Sequence, residues 1–203
     1  MLGIAFLLAA CGGDDDAAEA PADDTSAGSE AAADGDEATD DEGAGDEAAA
    51  EDSPYLAVGS EAPDFTARDQ SGTTRHLSAL RGGVVVLYFY PRDETPGCTA
   101  EACAFRDVWE RYEDADVTVL GVSVDDVASH LAFAQHHSLP FSLIADVDAS
   151  IATAYQVATR QGDTVYAQRV TYVIDAEGRI AHVFGQVDPG VHADEVLEVI
   201  GGL

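Results

Sequence analysis

The stretch Val84-Val85-Val86-Leu87-Tyr88-Phe89-Tyr90-Pro91-Arg92-Asp93-Glu94-Thr95-Pro96-Gly97-Cys98 decides the fold. Seven aliphatic, β-branched or aromatic residues in a row, with no polar alternation, are the pattern of a strand buried on both faces of a sheet. Pro91 ends that strand and a turn over 93–97 follows. Residues 98–113 then take helical spacing, with Ala102, Phe105, Val108, Trp109 and Tyr112 on one side. Further out, 117–124 reads as a second buried strand and 128–136 as an amphipathic helix. Strands are expected over 142–145, 170–174 and 179–184, with Ala176-Glu177-Gly178 as a tight hairpin turn between the last two. A closing helix is expected over 191–200.

Alternating strands and helices, then a hairpin and a final helix, specify an α/β fold with a central mixed β-sheet flanked by helices. The order βαβ…ββα resembles the thioredoxin-like pattern. Residues 54–203, about 150 in all, form one domain of ordinary size. No internal repeat, Gly-rich phosphate loop or coiled-coil heptad is present.

Charge divides the chain. It has 203 residues, 39 Asp+Glu against 9 Lys+Arg, and a formal charge of −30. Residues 1–53 hold 17 of the acids and no basic residue, and all nine basic residues of the rest are Arg. Such an acidic chain does not suit a nucleic acid or an anionic membrane surface as partner. No apolar run reaches the 18 to 20 or so residues that span a bilayer. Residues 12–53 are almost wholly Ala, Asp, Glu, Gly, Ser and Thr. They cannot bury enough apolar surface to offset the entropy of ordering, so a disordered acidic tether is expected over 11–53.

Residues 1–10, MLGIAFLLAA, have the length of a signal-peptide apolar core and run into Cys11. Leu8-Ala9-Ala10-Cys11 resembles a bacterial lipobox, in which Cys11 would be lipidated, although no Lys or Arg precedes the apolar run. A start codon placed upstream would supply one. The expectation is an extracytoplasmic protein tethered to a bacterial membrane only through lipid on Cys11. A solubilising tail without an anchor is the alternative.

Three cysteines are too few for a disulfide scaffold. Cys98 stands where the buried strand hands over to a helix. Unpaired backbone N–H groups and the positive end of the helix dipole favour thiolate there, and thiolate is the nucleophile. Thr95, three residues upstream, can direct a hydroxyl at that sulfur or at a bound oxygen. Cys103 lies five residues on, about 7.5 Å along a helix axis and about 140° around it. A disulfide needs Cα atoms within about 4.4–6.8 Å, so the pair cannot bond while the helix is intact. A redox pair that unwinds a turn on oxidation fits better than a structural staple. The alternatives are a metal pair, for which the domain has no other Cys, and two unrelated inert cysteines. Among the histidines, His136-His137 is adjacent, which sends the side chains to different sides of a helix. His76, His130, His182 and His192 show no ligand spacing. Packing or surface roles are expected for all six, with no metal and no cofactor.

Pro91-x3-Thr95-x2-Cys98 matches the active-site motif of peroxiredoxins. The longer string Thr95-Pro96-Gly97-Cys98-Thr99-x-Glu101-Ala102-Cys103, followed by Phe105-Arg106-Asp107, resembles the bacterioferritin-comigratory, or Q-type, subgroup. The likeness continues through Gly121-Val122-Ser123, Ser129-His130 with Phe133, Leu139-Pro140-Phe141 and Arg169-Val170-Thr171-Tyr172-Val173-Ile174-Asp175. It covers about residues 56–202. The resemblance implies a thiol-dependent peroxidase acting on hydrogen peroxide and organic hydroperoxides. Cys98 would be the peroxidatic cysteine and Cys103 the resolving one, joined after each reaction by an intramolecular disulfide. Thr95 would hold the peroxide oxygen, Pro91 would shield the pocket, and Arg169 would be the active-site arginine. A thioredoxin-like dithiol protein would be the reductant, and a monomer is expected. Two other functions compete. An extracytoplasmic thiol-disulfide oxidoreductase would need C-x-x-C, but Thr95 and Glu101 stand at the required positions. A copper-delivery protein of the thioredoxin-like class would use C-x3-C, and here the spacing is C-x4-C.

Overall fold

A computed structural model describes residues 53–203. The expected signal segment 1–10, Cys11 and all but the last residue of the expected tether lie outside the described residues. The chain from there runs β1 (Thr66–Asp69), β2 (Thr74–His76), a 3-10 turn (Leu77–Leu80), β3 (Val85–Phe89), α1 (Pro96–Asp107) and α2 (Trp109–Asp114). It continues through β4 (Thr118–Ser123), α3 (Val127–His137), β5 (Ser142–Ala145), α4 (Ser150–Ala154), β6 (Ala158–Gln161), β7 (Thr164–Ala167), β8 (Val170–Ile174), β9 (Ile180–Phe184) and α5 (His192–Ile200).

Seven strands form one sheet in the order β2-β1-β5-β4-β3-β8-β9. β3 pairs parallel to β4 and antiparallel to β8, and β4 pairs parallel to β5, so the sheet is mixed as expected. All five residues of β3 are buried, as its apolar run requires. Successive side chains alternate across the sheet. Val85, Leu87 and Phe89 enter one core layer with Tyr155 and Tyr172, while Val86, Tyr88 and Tyr90 enter the other with Phe105, Phe133 and Val196 from the helices. Gly121 of β4 lies under Tyr88. A Cβ there would meet the Tyr88 ring at 2.6 Å and Leu143 at 2.8 Å, so only glycine fits.

The expected helix over 98–113 differs in two ways. It starts earlier, because Pro96 occupies the first helical position, where its missing N–H costs nothing. It also breaks at Val108, whose φ of −109° and ψ of 18° leave the helical region. After the break α2 lays Trp109 against Phe141 and Tyr112 against Phe105, ring centroids 5.7 and 5.6 Å apart. Side-chain packing overrides helical continuity here. The β1–β2 and β6–β7 hairpins and α4 have no counterpart in the sequence reading.

Candidate active site

The site forms where the central strands β3 and β4 end, at the C-terminal ends from which parallel strands release their loops. Thr95 caps α1 in an extended conformation (φ −83°, ψ 145°), which the following proline demands. Cys98 therefore falls in the first turn of α1. It is 2% exposed, and Cys103, one and a half turns on in the same continuous helix, is 5% exposed. Both are in the reduced form.

Arg169 reaches this turn because of strand register. β8 runs antiparallel to β3 with Val170 opposite Phe89, so the residue before β8 sits beside the residues that follow β3. Its Nη2 donates to Cys98 Sγ at 3.2 Å, and its Nη1 donates to Glu101 Oε2. Gly97 leaves room for the guanidinium, since a Cβ there would stand 3.3 Å from Nη2. Burial opposes the charge on Arg169, but Glu101 and Cys98 more than offset it and hold the guanidinium charged. Glu101 is fully buried. Burial raises its carboxyl to about 7 from the ordinary 4.5, against the pull of Arg169. The sequence shows Glu101 only as part of a motif string. An acid three residues after Cys98, one before buried Ala102, was the available signal for a helix-facing carboxylate.

The loop between β3 and α1 is fixed at Asp93, which is 6% exposed. Tyr90 donates its hydroxyl to Oδ1 at 2.7 Å and Ser129 donates to Oδ2 at 2.7 Å. His130 Nδ1 lies 2.9 Å from Oδ2, and its Nε2 faces the Ile144 carbonyl at 3.2 Å. Burial would raise the Asp93 carboxyl, yet the bonds from His130, Ser129 and Tyr90 hold it below the ordinary range. The Asp93 N–H in turn donates to Asp125 Oδ2, tying the loop to the end of β4. Nothing in the local sequence marks Asp93 as buried.

Pro91 is half-buried and lines a surface groove with Arg92, Gln161, Thr164 and Tyr166. The Thr95 hydroxyl donates to the Arg92 carbonyl at 3.1 Å, so its single proton is turned away from the sulfur in this resting state. His130 and His192 are fully buried, and His76 bonds Thr66 at the surface. His136 and His137 depart from expectation. Adjacent helical residues diverge, but His136 reaches Glu94 Oε1 with its near nitrogen Nδ1 and His137 reaches Oε2 with its far nitrogen Nε2, both at 3.1 Å. The helix ends there, with Ser138 in the left-handed region, and the two rings converge to 4.4 Å.

A buried sulfur at a helix N-terminus, touched by a guanidinium and followed by a second buried sulfur in the same helix, suits nucleophilic redox chemistry. Known proteins agree. The AhpC/TSA family model matches residues 58–183. Over 149 residues the chain is 45% identical to the chloroplastic peroxiredoxin Q of Triticum aestivum, covering 73% of this chain and 68% of the relative. It is 43% identical over 152 residues to the putative peroxiredoxin bcp of Coxiella burnetii, covering 73% of this chain and 99% of the relative. Among solved structures, peroxidoxin BcpB of Mycobacterium tuberculosis superposes with a TM-score of 0.68 at 33% identity, over 72% of this chain and 97% of that one. The bacterioferritin comigratory protein of Xanthomonas campestris gives 0.67 at 30%, over 71% and 98%. Neither competing function is favoured by these likenesses. The chain belongs to the AhpC/TSA family, among the Q-type peroxiredoxins, and is a thiol-dependent peroxidase of thioredoxin-like fold.

Proposed function

We propose that Cys98 is the peroxidatic cysteine and Cys103 its resolving partner. The Cys98 thiolate attacks the terminal oxygen of a hydroperoxide and breaks the O–O bond. Sulfur is oxidised to sulfenic acid, and the leaving oxygen takes a proton and departs as water or alcohol. The Cys103 thiol then displaces hydroxide from the sulfenic acid, water leaves, and a disulfide remains for a dithiol protein to reduce. The observation that carries this assignment is the 3.2 Å contact of Arg169 with Cys98 Sγ. A fixed cation there stabilises the thiolate and the negative charge developing on oxygen. Glu101 positions that guanidinium. The Thr95 hydroxyl needs only a side-chain rotation to turn from the Arg92 carbonyl toward bound peroxide. Pro91 would shield the pocket, as the family motif implies. Because both sulfurs lie in one unbroken helix, the disulfide requires the first turn of α1 to unwind. All these groups come from one chain, so the chemistry as proposed needs no residue from a second copy.

The test is a pair of variants. Cys98→Ser should abolish peroxide consumption, because a hydroxyl is not ionised near neutral pH. Cys103→Ser should react once, then stall as a sulfenic acid that dimedone traps. Normal turnover by Cys103→Ser would overturn the resolving role.

From sequence we also infer an extracytoplasmic protein, anchored by lipid on Cys11 and spaced from the membrane by residues 12–53. Among the described residues no helix is long and apolar enough to cross a membrane. An exported domain would need an exported dithiol carrier as its reductant. Its role there would be antioxidant defence at the cell envelope.

A further inference from the structure

Outside the thiol chemistry, one cluster of side chains has the donor set of a metal centre. Glu94, His136 and His137 each offer a ligand atom, and these atoms lie within 4.8 Å of one another. Both carboxylate oxygens already stand 3.1 Å from an imidazole nitrogen. A tetrahedral zinc ion with bonds of about 2.0–2.2 Å sets neighbouring donors about 3.3 Å apart. The observed spacing is thus close to one edge of such a polyhedron, and small side-chain rotations would complete a face. Two imidazoles and a carboxylate suit zinc, copper or nickel better than calcium or magnesium.

The surroundings favour a cation. The site lies at the surface, with the His136 side chain 58% and Glu94 49% exposed, so an ion can reach it and keep water in its remaining positions. Arg106, the cation bonded to the His137 carbonyl, is itself paired with Asp107. Glu94 is held at φ +57°, in the left-handed region that a glutamate rarely adopts. That conformation carries its carboxylate out from the loop to the end of α3.

We propose that Glu94, His136 and His137 form a binding site for a divalent cation of the zinc class, which fastens the loop before Cys98 to the end of α3. Glu94 lies four residues before Cys98, in the loop that leads directly into the first turn of α1, the turn that opens for the disulfide. An occupied site therefore slows disulfide formation while leaving the sulfur's first reaction with peroxide open. That consequence rests on the cysteine roles proposed above; the site itself does not.

The test uses the full chain with Cys11, Cys98 and Cys103 changed to Ser, so that no thiolate competes for the metal. Titrated with Zn2+, it should bind one tight equivalent. Glu94→Gln and His136→Ala, both at exposed positions, should each weaken that equivalent by about tenfold or more. Weak binding to the acidic N-terminal segment should be equal in all three. Absence of a tight equivalent, or one that both substitutions leave unchanged, overturns the proposal. Zn2+ should also slow amide hydrogen exchange over 93–97 in the parent but not in His136→Ala, and equal exchange in both would overturn the fastening. With cysteines restored, Zn2+ should slow the peroxide-driven Cys98–Cys103 disulfide only when His136 is present. Slowing to the same degree without His136 would mean that zinc acts on the thiols, against the proposal. If no disulfide forms even without zinc, the cysteine assignment fails, and the binding result stands by itself.

Discussion

Replacing Arg169 with Met removes the guanidinium from Cys98 while keeping an unbranched side chain. The full Coulomb attraction over 3.2 Å would reach about 5 kcal/mol at an effective dielectric constant of 20. That figure is an upper bound, because Glu101 shares the same guanidinium. A charge-assisted hydrogen bond contributes about 1.5–3 kcal/mol. At about 1.4 kcal/mol per tenfold, the substitution should slow oxidation of Cys98 by about 10- to 150-fold. Stability should fall as well, since Glu101 loses its partner in a fully buried position. The sign of the pH dependence follows from burial. Glu101 sits at about 7 with Arg169 present, and without the cation it must rise further. A carboxyl whose folded value exceeds its unfolded 4.5 takes up a proton on folding. Its contribution is complete below the unfolded value and is lost as pH rises through the folded one. Arg169→Met should accordingly resist urea better at pH 6 than at pH 8. Adding Glu101→Gln should recover much of the stability and none of the rate. Stopped-flow fluorescence of Trp109, the one tryptophan of the chain, can follow peroxide oxidation. A rate within about twofold of wild type would refute the electrostatic argument, since even the weakest charge-assisted bond predicts about tenfold.

Gly121→Ala should destabilise the domain by about 1–3 kcal/mol, because its methyl meets Tyr88 and Leu143 inside 3 Å; thermal melting checks this. Asp93→Asn should leave His130 without its buried carboxylate, loosen the loop and lower the melting temperature. In the wild type the Asp93 contribution is present above the unfolded value of 3.8 and should be lost as pH falls through its lower folded value, seen as acid unfolding that the Asn variant lacks. Cys11→Ser should release the protein from bacterial membranes into the soluble fraction, with peroxidase activity intact. Native protein that is soluble with a free Cys11 thiol would end the lipoprotein reading.

Legibility in the sequence followed the strength of local pattern. β3, β5 and β8 could be placed within a residue, because each is an apolar run bounded by turn residues and buried on both faces or nearly so. β1 and β2 were missed because Thr-Ala-Arg-Asp and Thr-Arg-His carry no apolar alternation. Their register is fixed by Asp69, which accepts from the Ser71 and Thr73 N–H groups around Gly72. The β6–β7 hairpin did have a signal: Gly162-Asp163 is a two-residue turn with Gly162 at φ +61°. The site divides in the same way. Cys98, Cys103, Thr95 and Pro91 lie within one short segment and can be read as a motif. Arg169 becomes a neighbour of Cys98 only through the pairing of β3 with β8, which no local pattern reveals. Asp93 and Glu101 are burials of charge, and burial is a property of the assembled fold. The convergence of His136 and His137 depends on where α3 stops.

The two ends of the loop between β3 and α1 are held differently, and on the proposed cysteine roles this sets where α1 would open. Asp93 is gripped by Tyr90, Ser129 and His130, and its own N–H is bonded to Asp125; releasing it would expose a buried charged cluster. Unwinding that starts upstream of Asp93 is therefore costly. Downstream, Glu94 is held by the exposed ring of His136 and the largely buried ring of His137, Pro96 donates no backbone hydrogen bond, and the first helical bond is Thr99 N–H to the Thr95 carbonyl at 2.8 Å. Freeing Cys98 needs little more than that turn and the Arg169 contact. On the proposed cysteine roles, oxidation of Cys98 weakens the second of these, because a sulfenic acid is neutral and offers a guanidinium no charge-assisted bond. The proposed reaction would thus loosen the contact between Arg169 and Cys98, while the bonds to Asp93 would keep the rest of the loop in register for the return of the turn.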